Sequence, residues 1–264
     1  MAKNVHVLVL RTAGTNCNEE TAFAFNYFGA KVTQAHVNAL IAGELRLNDF
    51  HILALSGGFS YGDDIASGRI LANELRLKLG NDLRRFIAAG KLIIGICNGF
   101  QILVKAGILP GLAGEKGQTA TLFHNDSAKF EARWTNLGVQ TGKCVWLNGM
   151  PSQIYLPVAH GEGKFIPKDA ALLKKLKENG QIVFTYCAAD GGKALYPENP
   201  NGSTDDIAGI CDPTGRILGL MPHPERHFLF EQHPFWTRLA YKTTLGDGAK
   251  IFENGVNYAK KNLC

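Results

Sequence analysis

The chain has 264 residues, 45% hydrophobic and 19% charged, with 28 basic against 23 acidic side chains for a formal net charge of +5. A charged fraction below the roughly 25% of soluble globular chains excludes charge-driven disorder and a long coiled coil, and the length suits one large α/β domain or two small ones. The basic residues are scattered without stacking aromatics and the apolar runs are strand-sized, so neither a nucleic-acid groove nor a membrane span is expected.

Residues 5–10 are an apolar run predicted as the first strand. A loop at 11–17 leads to a helix whose start is marked by Asn16 with Glu19 three residues on, a capping-box spacing, and whose end is Gly29. Residues 31–37 read as a second strand, 38–47 as a short helix, and 52–55 as a third strand running directly into Ser56-Gly57-Gly58. A helical pattern covers 70–89, as one helix or two, and closes at Gly90; 92–97 is a continuous apolar strand, and 99–106 is a helix ended by Gly107. This alternation predicts a parallel sheet covered on both faces. Residues 119–147 are rich in Thr, Val, Phe and Trp with no helical pattern until 170–178, which predicts an antiparallel extension of the same domain. A strand at 182–186 and a polar loop at 190–203 follow. Residues 207–211 and 217–220 make a predicted hairpin around Asp212-Pro213-Thr214-Gly215, and its second strand delivers Met221-Pro222-His223-Pro224-Glu225. A terminal helix covers 246–262. The fold class is therefore α/β, an open, mostly parallel sheet with helices on both faces plus an antiparallel extension. Residues 1–226 form the main domain, and 227–264 are a C-terminal extension packing on it.

Glycine reaches roughly 11% against a usual ~7%, without collagen period or low-complexity block, so tight turns and close backbone approaches are expected. Six cysteines without CxxC spacing, and an N-terminal stretch that does not read as a secretion signal, point to reduced thiols in a cytoplasmic protein. Five of these cysteines read as small buried hydrophobes. Cys97 differs, because it ends a strand and opens a helix in the context Gly95-Ile96-Cys97-Asn98-Gly99. A nucleophile on a sharp turn crowds the backbone two residues to either side, and glycine there removes the clashing Cβ atoms. The helix N-terminus behind it favours a thiolate and offers free N–H groups.

A thiol is only slightly ionised at neutral pH and needs a base. Of eight histidines, His6, His36 and His51 lie in or beside strands, His227 and His233 in the polar tail, and His124 has a nearby carboxylate without special backbone context. His223 is fenced by Pro222 and Pro224 and followed at i+2 by Glu225; in an extended segment these two share a face, so the carboxylate can hold one tautomer while the other nitrogen faces the thiol. Gly57-Gly58, Cys97 and His223 each follow a predicted strand, and ligands bind beyond the carboxyl ends of parallel strands.

Gly95-x-Cys97-x-Gly99-x-Gln101 with His223-Pro224-Glu225 resembles the class I (triad) glutamine amidotransferases. Residues 57–63 (Gly-Gly-Phe-Ser-Tyr-Gly-Asp), 159–163 (Ala-His-Gly-Glu-Gly) and 199–203 (Asn-Pro-Asn-Gly-Ser) are similar to the members that serve purine biosynthesis. The resemblance runs from the first strand to about Arg226. It implies that Cys97 attacks the side-chain amide of glutamine, His223 shuttles the proton and Glu225 orients His223. Backbone N–H groups of Gly58 and Asn98 would hold the oxyanion. Gln101, Phe59, His160 and Glu162 would line the substrate site, with contact of His160 and Glu162 to substrate or to a partner subunit left open. For Asn201 and Ser203 the family motif and a plain polar turn account equally well. The resemblance further implies that ammonia passes to a separate ATP-dependent synthetase subunit, assembled with a small bridging subunit, that converts formylglycinamide ribonucleotide to the amidine. No G-x-x-x-x-G-K-[ST] loop and no G-x-G-x-x-G spacing is present, so no cofactor and no metal are expected on this chain, and ATP and magnesium belong to the partner. Three departures stand out: Ser56 replaces a usual proline, residues 64–69 differ from the shorter bacterial form, and the tail beyond His227 is longer than in compact members.

Two alternatives remain: a free-standing cysteine amidohydrolase or peptidase with the same triad, and a non-catalytic nucleotide-binding regulatory domain. Both leave residues 159–163 and 199–203 unexplained.

Overall fold

In the computed structural model, residues 4–112, 114, 117–240 and 243–264 are described; Tyr241 and Lys242, within the predicted C-terminal extension, lie outside the described residues. The strands in chain order are β1 (His6–Arg11), β2 (Lys31–His36), β3 (Ile52–Leu55), β4 (Leu92–Ile96), β5 (Ala120–Phe123), β6 (Glu131–Val139), β7 (Gln153–His160), β8 (Lys164–Pro167), β9 (Ile182–Cys187), β10 (Ile207–Cys211) and β11 (Ile217–Leu220). Nine of them form one sheet in the order β2-β1-β3-β4-β11-β10-β9-β6-β7, while β5 and β8 pair separately. From β2 through β11 the pairing is parallel; from β11 through β7 it is antiparallel. The sheet thus joins the parallel half and the antiparallel extension expected of the two halves of the sequence. β3, β4 and β11 are buried at every position, as strands covered on both faces require.

The helices are α1 (Asn18–Tyr27), α2 (Val37–Ile41), α3 (Arg69–Lys78), α4 (Gly80–Ala88), α5 (Asn98–Lys105), α6 (Ala170–Glu178) and α7 (Ala249–Asn262). The stretch at 70–89 is two helices that meet at Leu79. All eight residues of α5 are buried, so this helix is enclosed on every side. α7 belongs to the same core: Phe252 stacks edge-on against Phe25 of α1 at 5.0 Å, and a Cβ at Gly255 would lie 2.3 Å from the Trp146 ring. Among the described residues no helix is long and apolar enough to cross a membrane.

Two local expectations fail. The capping box at Asn16 and Glu19 does not form, because α1 starts later, capped by Cys17 without a side-chain bond; Asn16 Oδ1 accepts from the Cys17 thiol instead, and Glu19 turns outward to Asn18 and Gln34. The helix predicted over 38–47 is only the five residues of α2, ended where Gly43 adopts φ 75°. The consequence for function lies in the sheet order. β3, β4 and β11 are parallel neighbours, so the turns that leave their carboxyl ends emerge side by side.

Candidate active site

Cys97 caps α5 with φ 51° and ψ −105°, a conformation that stores backbone strain in any residue with a side chain. Its flanking glycines are forced by close approach. A Cβ at Gly99 would sit 1.9 Å from the Leu55 carbonyl oxygen, and one at Gly95 would sit 2.6 Å from the Gly99 oxygen. The Cys97 N–H donates to the Leu220 carbonyl at 2.8 Å, which pins the elbow to β11, and the thiol donates to the Ala159 carbonyl at 3.6 Å.

His223 is anchored by its N–H to the Pro157 carbonyl at 2.8 Å, and its Nδ1 lies 2.6 Å from Glu225 Oε1. The reach between them is not that of an extended strand. Pro224–His227 is a single 3-10 turn capped by His223, and the turn folds the carboxylate back onto the ring. With Nδ1–H donated to Glu225, the ring presents Nε2, which is buried without a protein partner, as is Glu225 Oε2. Burial opposes the imidazolium, but the Glu225 carboxylate, then the Cys97 and Cys17 sulfurs, outweigh it and hold His223 well above its ordinary value.

Cys17, read from sequence as a small hydrophobe, lies against this pair. Its Sγ is 3.9 Å from His223 Nδ1, accepts from Arg226 at 3.0 Å and donates to Asn16 Oδ1 at 3.0 Å. Cys17, His223 and Glu225 bring their ligand atoms within 4.8 Å of one another. They suit a metal poorly, because a guanidinium already occupies the sulfur and the carboxylate already occupies Nδ1.

Gly57 closes the gap between these groups, since a Cβ there would meet His223 Cε1 at 2.7 Å and Cys17 Sγ at 3.2 Å. Gly58 has φ 140° and bridges Thr15. The bonds of that bridge come from the Phe59 and Asn16 N–H groups, so the Gly58 N–H is not spent on it. The Asn98 N–H heads α5, where no intrahelical acceptor exists. Two backbone donors thus flank the elbow. Phe59 stands at the rim, 43% exposed, beside Phe130.

The Asn98 side chain accepts from the Ser60 N–H at 3.2 Å and donates to Gln101 Oε1 at 2.9 Å; Gln101 Nε2 donates to the Glu162 carbonyl at 2.6 Å. The Glu162 carboxylate is taken by the Ser67 N–H and by Lys105. His160 is buried between two amides, with Nδ1–H donated to Asn125 Oδ1 at 3.1 Å and Nε2 accepting from Asn201 at 3.4 Å. Burial first, then the charge of His223, push its pKa down to about 3, so it stays neutral. Asn201 also donates to the Tyr186 hydroxyl and accepts from the Ser203 N–H and hydroxyl. The side chains of His160, Glu162, Asn201 and Ser203 therefore spend their polar atoms on the protein. Asn125, which no motif in the sequence singles out, holds the 160–163 turn from within, through the His160 carbonyl and the Gly163 N–H.

Known proteins resemble this arrangement along nearly the whole chain. A family described as the CobB/CobQ-like glutamine amidotransferase domain matches residues 4–259. A Dehalococcoides mccartyi protein named phosphoribosylformylglycinamidine synthase subunit PurQ is 50% identical over 259 residues, covering 97% of this chain and 98% of the relative. A Methanococcus maripaludis protein of the same name is 42% identical over 268 residues, covering 97% of each. Among solved structures, a chain in the structure of PurLQS from Thermotoga maritima superposes with a TM-score of 0.73 at 29% identity, covering 97% of this chain and 99% of that one.

Proposed function

The chain belongs to the CobB/CobQ-like glutamine amidotransferase family, and from that membership we propose that it is the glutaminase subunit of phosphoribosylformylglycinamidine synthase in purine biosynthesis. The observation that carries the chemical part is the convergence of a strained cysteine, a carboxylate-held imidazole and two backbone donors at the ends of three adjacent parallel strands.

In this reading the proton of the Cys97 thiol is held on His223, whose raised pKa favours the imidazolium, as Sγ attacks the side-chain amide carbon of glutamine. The amide oxygen becomes an oxyanion held by the Gly58 and Asn98 N–H groups, and one such donor contributes roughly 2.7–4 kcal/mol to the transition state. His223 returns the proton to the leaving nitrogen, the C–N bond breaks, and ammonia departs from a glutamyl thioester. Water, deprotonated by His223, then attacks the thioester and releases glutamate and the thiol. Glu225 fixes the tautomer and the ring plane throughout.

Ammonia passes to a synthetase subunit, which uses ATP and magnesium to convert formylglycinamide ribonucleotide to the amidine, and a small bridging subunit completes a cytoplasmic complex. The assembly in the Thermotoga maritima structure, named PurLQS, supports this partnership. The test is to reconstitute the complex and trap a thioester from labelled glutamine. The label should map to Cys97 and disappear in Cys97→Ala. A second reading, with Cys17 as nucleophile, draws on its contact with His223. Against it, that contact is with Nδ1, the nitrogen already bonded to Glu225, and Cys17 has ordinary backbone angles. A label that survives in Cys97→Ala and vanishes in Cys17→Ala would establish the second reading.

A further inference from the structure

One helical turn beyond the elbow lies a ring whose polar side chains take no step in the proposed chemistry. Asn98, Gln101 and Lys105 stand at i, i+3 and i+7 of α5 and so share a face. Asn98 Nδ2 reaches Asp63 Oδ1 at 3.2 Å as well as Gln101, and Asp63 accepts from the Ser67 hydroxyl at 2.8 Å. The Ser67 N–H lies 3.3 Å from both Glu162 carboxylate oxygens. Lys105 Nζ closes the ring, 2.5 Å from the Ser67 carbonyl and 3.5 Å from Glu162 Oε2. The Lys105 side chain is 5% exposed, and burial pulls its ammonium below the ordinary lysine range against the attraction of Glu162 and Asp63.

A buried ammonium is a poor device for stability, because an ion pair taken out of water recovers in attraction about what it loses in hydration. What it supplies is fixed geometry, and the segment it holds requires that. Tyr61, Asp63 and Ile65 have φ of 55°, 56° and 72° without being glycine, conformations that persist only when the surroundings impose them. Beside the ring opens a cavity of about 590 Å³ lined by Asp63, Arg69, Lys105 and Glu162 among others. The cavity joins the elbow through Asp63, which holds the Asn98 side chain next to Cys97, and its charges of both signs suit the zwitterionic end of an α-amino acid.

We infer that Lys105 is a positioning residue for glutamine: it clamps the 63–68 loop to the 161–163 turn and so fixes the wall that receives the ammonium and carboxylate of the substrate. The inference rests on the glutaminase reading. Lys105 touches no reacting atom, and both Cys97 and His223 are anchored elsewhere, through Leu220 and Pro157. Its loss therefore weakens binding rather than turnover.

The experiment is steady-state kinetics of the reconstituted complex. Lys105→Met is expected to raise KM for glutamine about tenfold or more, to leave kcat within about threefold, and to leave ammonia-dependent synthesis at the wild-type rate. Lys105→Arg should recover part of the KM. Lys105→Met leaves the Glu162 carboxylate without its cation, so its thermal midpoint is expected to fall; a merely structural loss would lower the active fraction, and so kcat, at unchanged KM, whereas a positioning role raises KM. Glu162→Gln keeps the shape and should raise KM in the same direction, and the double variant should cost no more than the larger single effect. A wild-type KM in Lys105→Met, a fall in kcat at unchanged KM, or additive effects in the double variant would overturn the inference. If Lys105→Met does not fold, Glu162→Gln decides alone, with a raised KM for and an unchanged KM against. A wild-type complex that uses ammonia but never glutamine would instead remove the glutaminase reading, an outcome seen before any variant is made.

Discussion

Two histidines, His223 and His160, lie buried at the same end of the sheet, and their surroundings treat them in opposite ways. Around His160 every polar atom is matched. Asn125 donates both amide hydrogens and accepts twice at its oxygen, and Asn201 does the same. Around His223 the accounts are left open. Among the described residues, the buried side-chain atoms without a protein partner are those of Ser56, Ser60, Arg133, His223 and Glu225, and all but Arg133 border the elbow or belong to the His–Glu pair. Satisfied polar groups build a frame; unsatisfied ones beside a strained cysteine are where a substrate can complete the bonding. Variants in the first region should therefore lose stability before activity, and variants in the second should lose activity at little cost in stability.

The sharpest break would come from Cys97→Ser. Glutamine-dependent synthesis should fall on the order of 10⁴-fold or more while ammonia-dependent synthesis and the unfolding midpoint stay near wild type. Next in size is Glu225→Gln, expected to lower kcat about 10²–10⁴-fold by releasing the tautomer. It should also remove a pH slope. Because His223 is held above its ordinary 6.5, the folded state binds that proton more tightly than the unfolded chain, so the stabilisation is complete below about pH 6.5 and fades as pH rises through the raised value. Urea titrations across this range would reveal a flatter profile in the variant.

The His160 frame predicts the opposite slope and the smallest effect on rate. Asn125→Ala should cost about 2–4 kcal/mol in urea unfolding, since it strands the Gly163 N–H and both sides of His160, yet leave kcat per folded molecule within about tenfold. His160 is neutral when folded, with a pKa of about 3 against 6.5 unfolded. Its contribution is intact above pH 6.5 and is lost as pH falls toward 3, at up to about 1.4 kcal/mol per unit. His160→Gln should flatten that acid limb, and an unchanged limb would erase the contrast between the two histidines.

The legibility of the two regions differed for the same physical reason. An elbow is a local constraint: Gly95 and Gly99 answer contacts made within a few residues of Cys97, or with the strand beside it, so spacing alone betrays them. The sheet was legible too, because apolar runs with helical stretches between them leave few topologies. The frame around His160 is assembled from positions 125, 160, 186, 201 and 203, and polar satisfaction over such distances leaves no period in a sequence. Cys17 escaped in the same way, since its partner Arg226 is 209 residues away. The i+2 spacing of Glu225 and His223 suggests an extended segment, whereas a 3-10 turn makes the contact.

Strand β11 does two jobs, since its last carbonyl pins the Cys97 N–H and its next few residues carry His223. Nucleophile and base are thus measured off the same ruler, with Leu220 registered on Ile96 and Ile217 on Ile93. At one end of that ruler, between Leu220 and His223, a single inserted residue would displace the base by about 3.3 Å and turn its side chain away. At the other end, the turn at Asp212–Gly215 can lengthen without moving either group. Drift in chain length across relatives of this protein is therefore expected at the Asp212 end and forbidden at the His223 end.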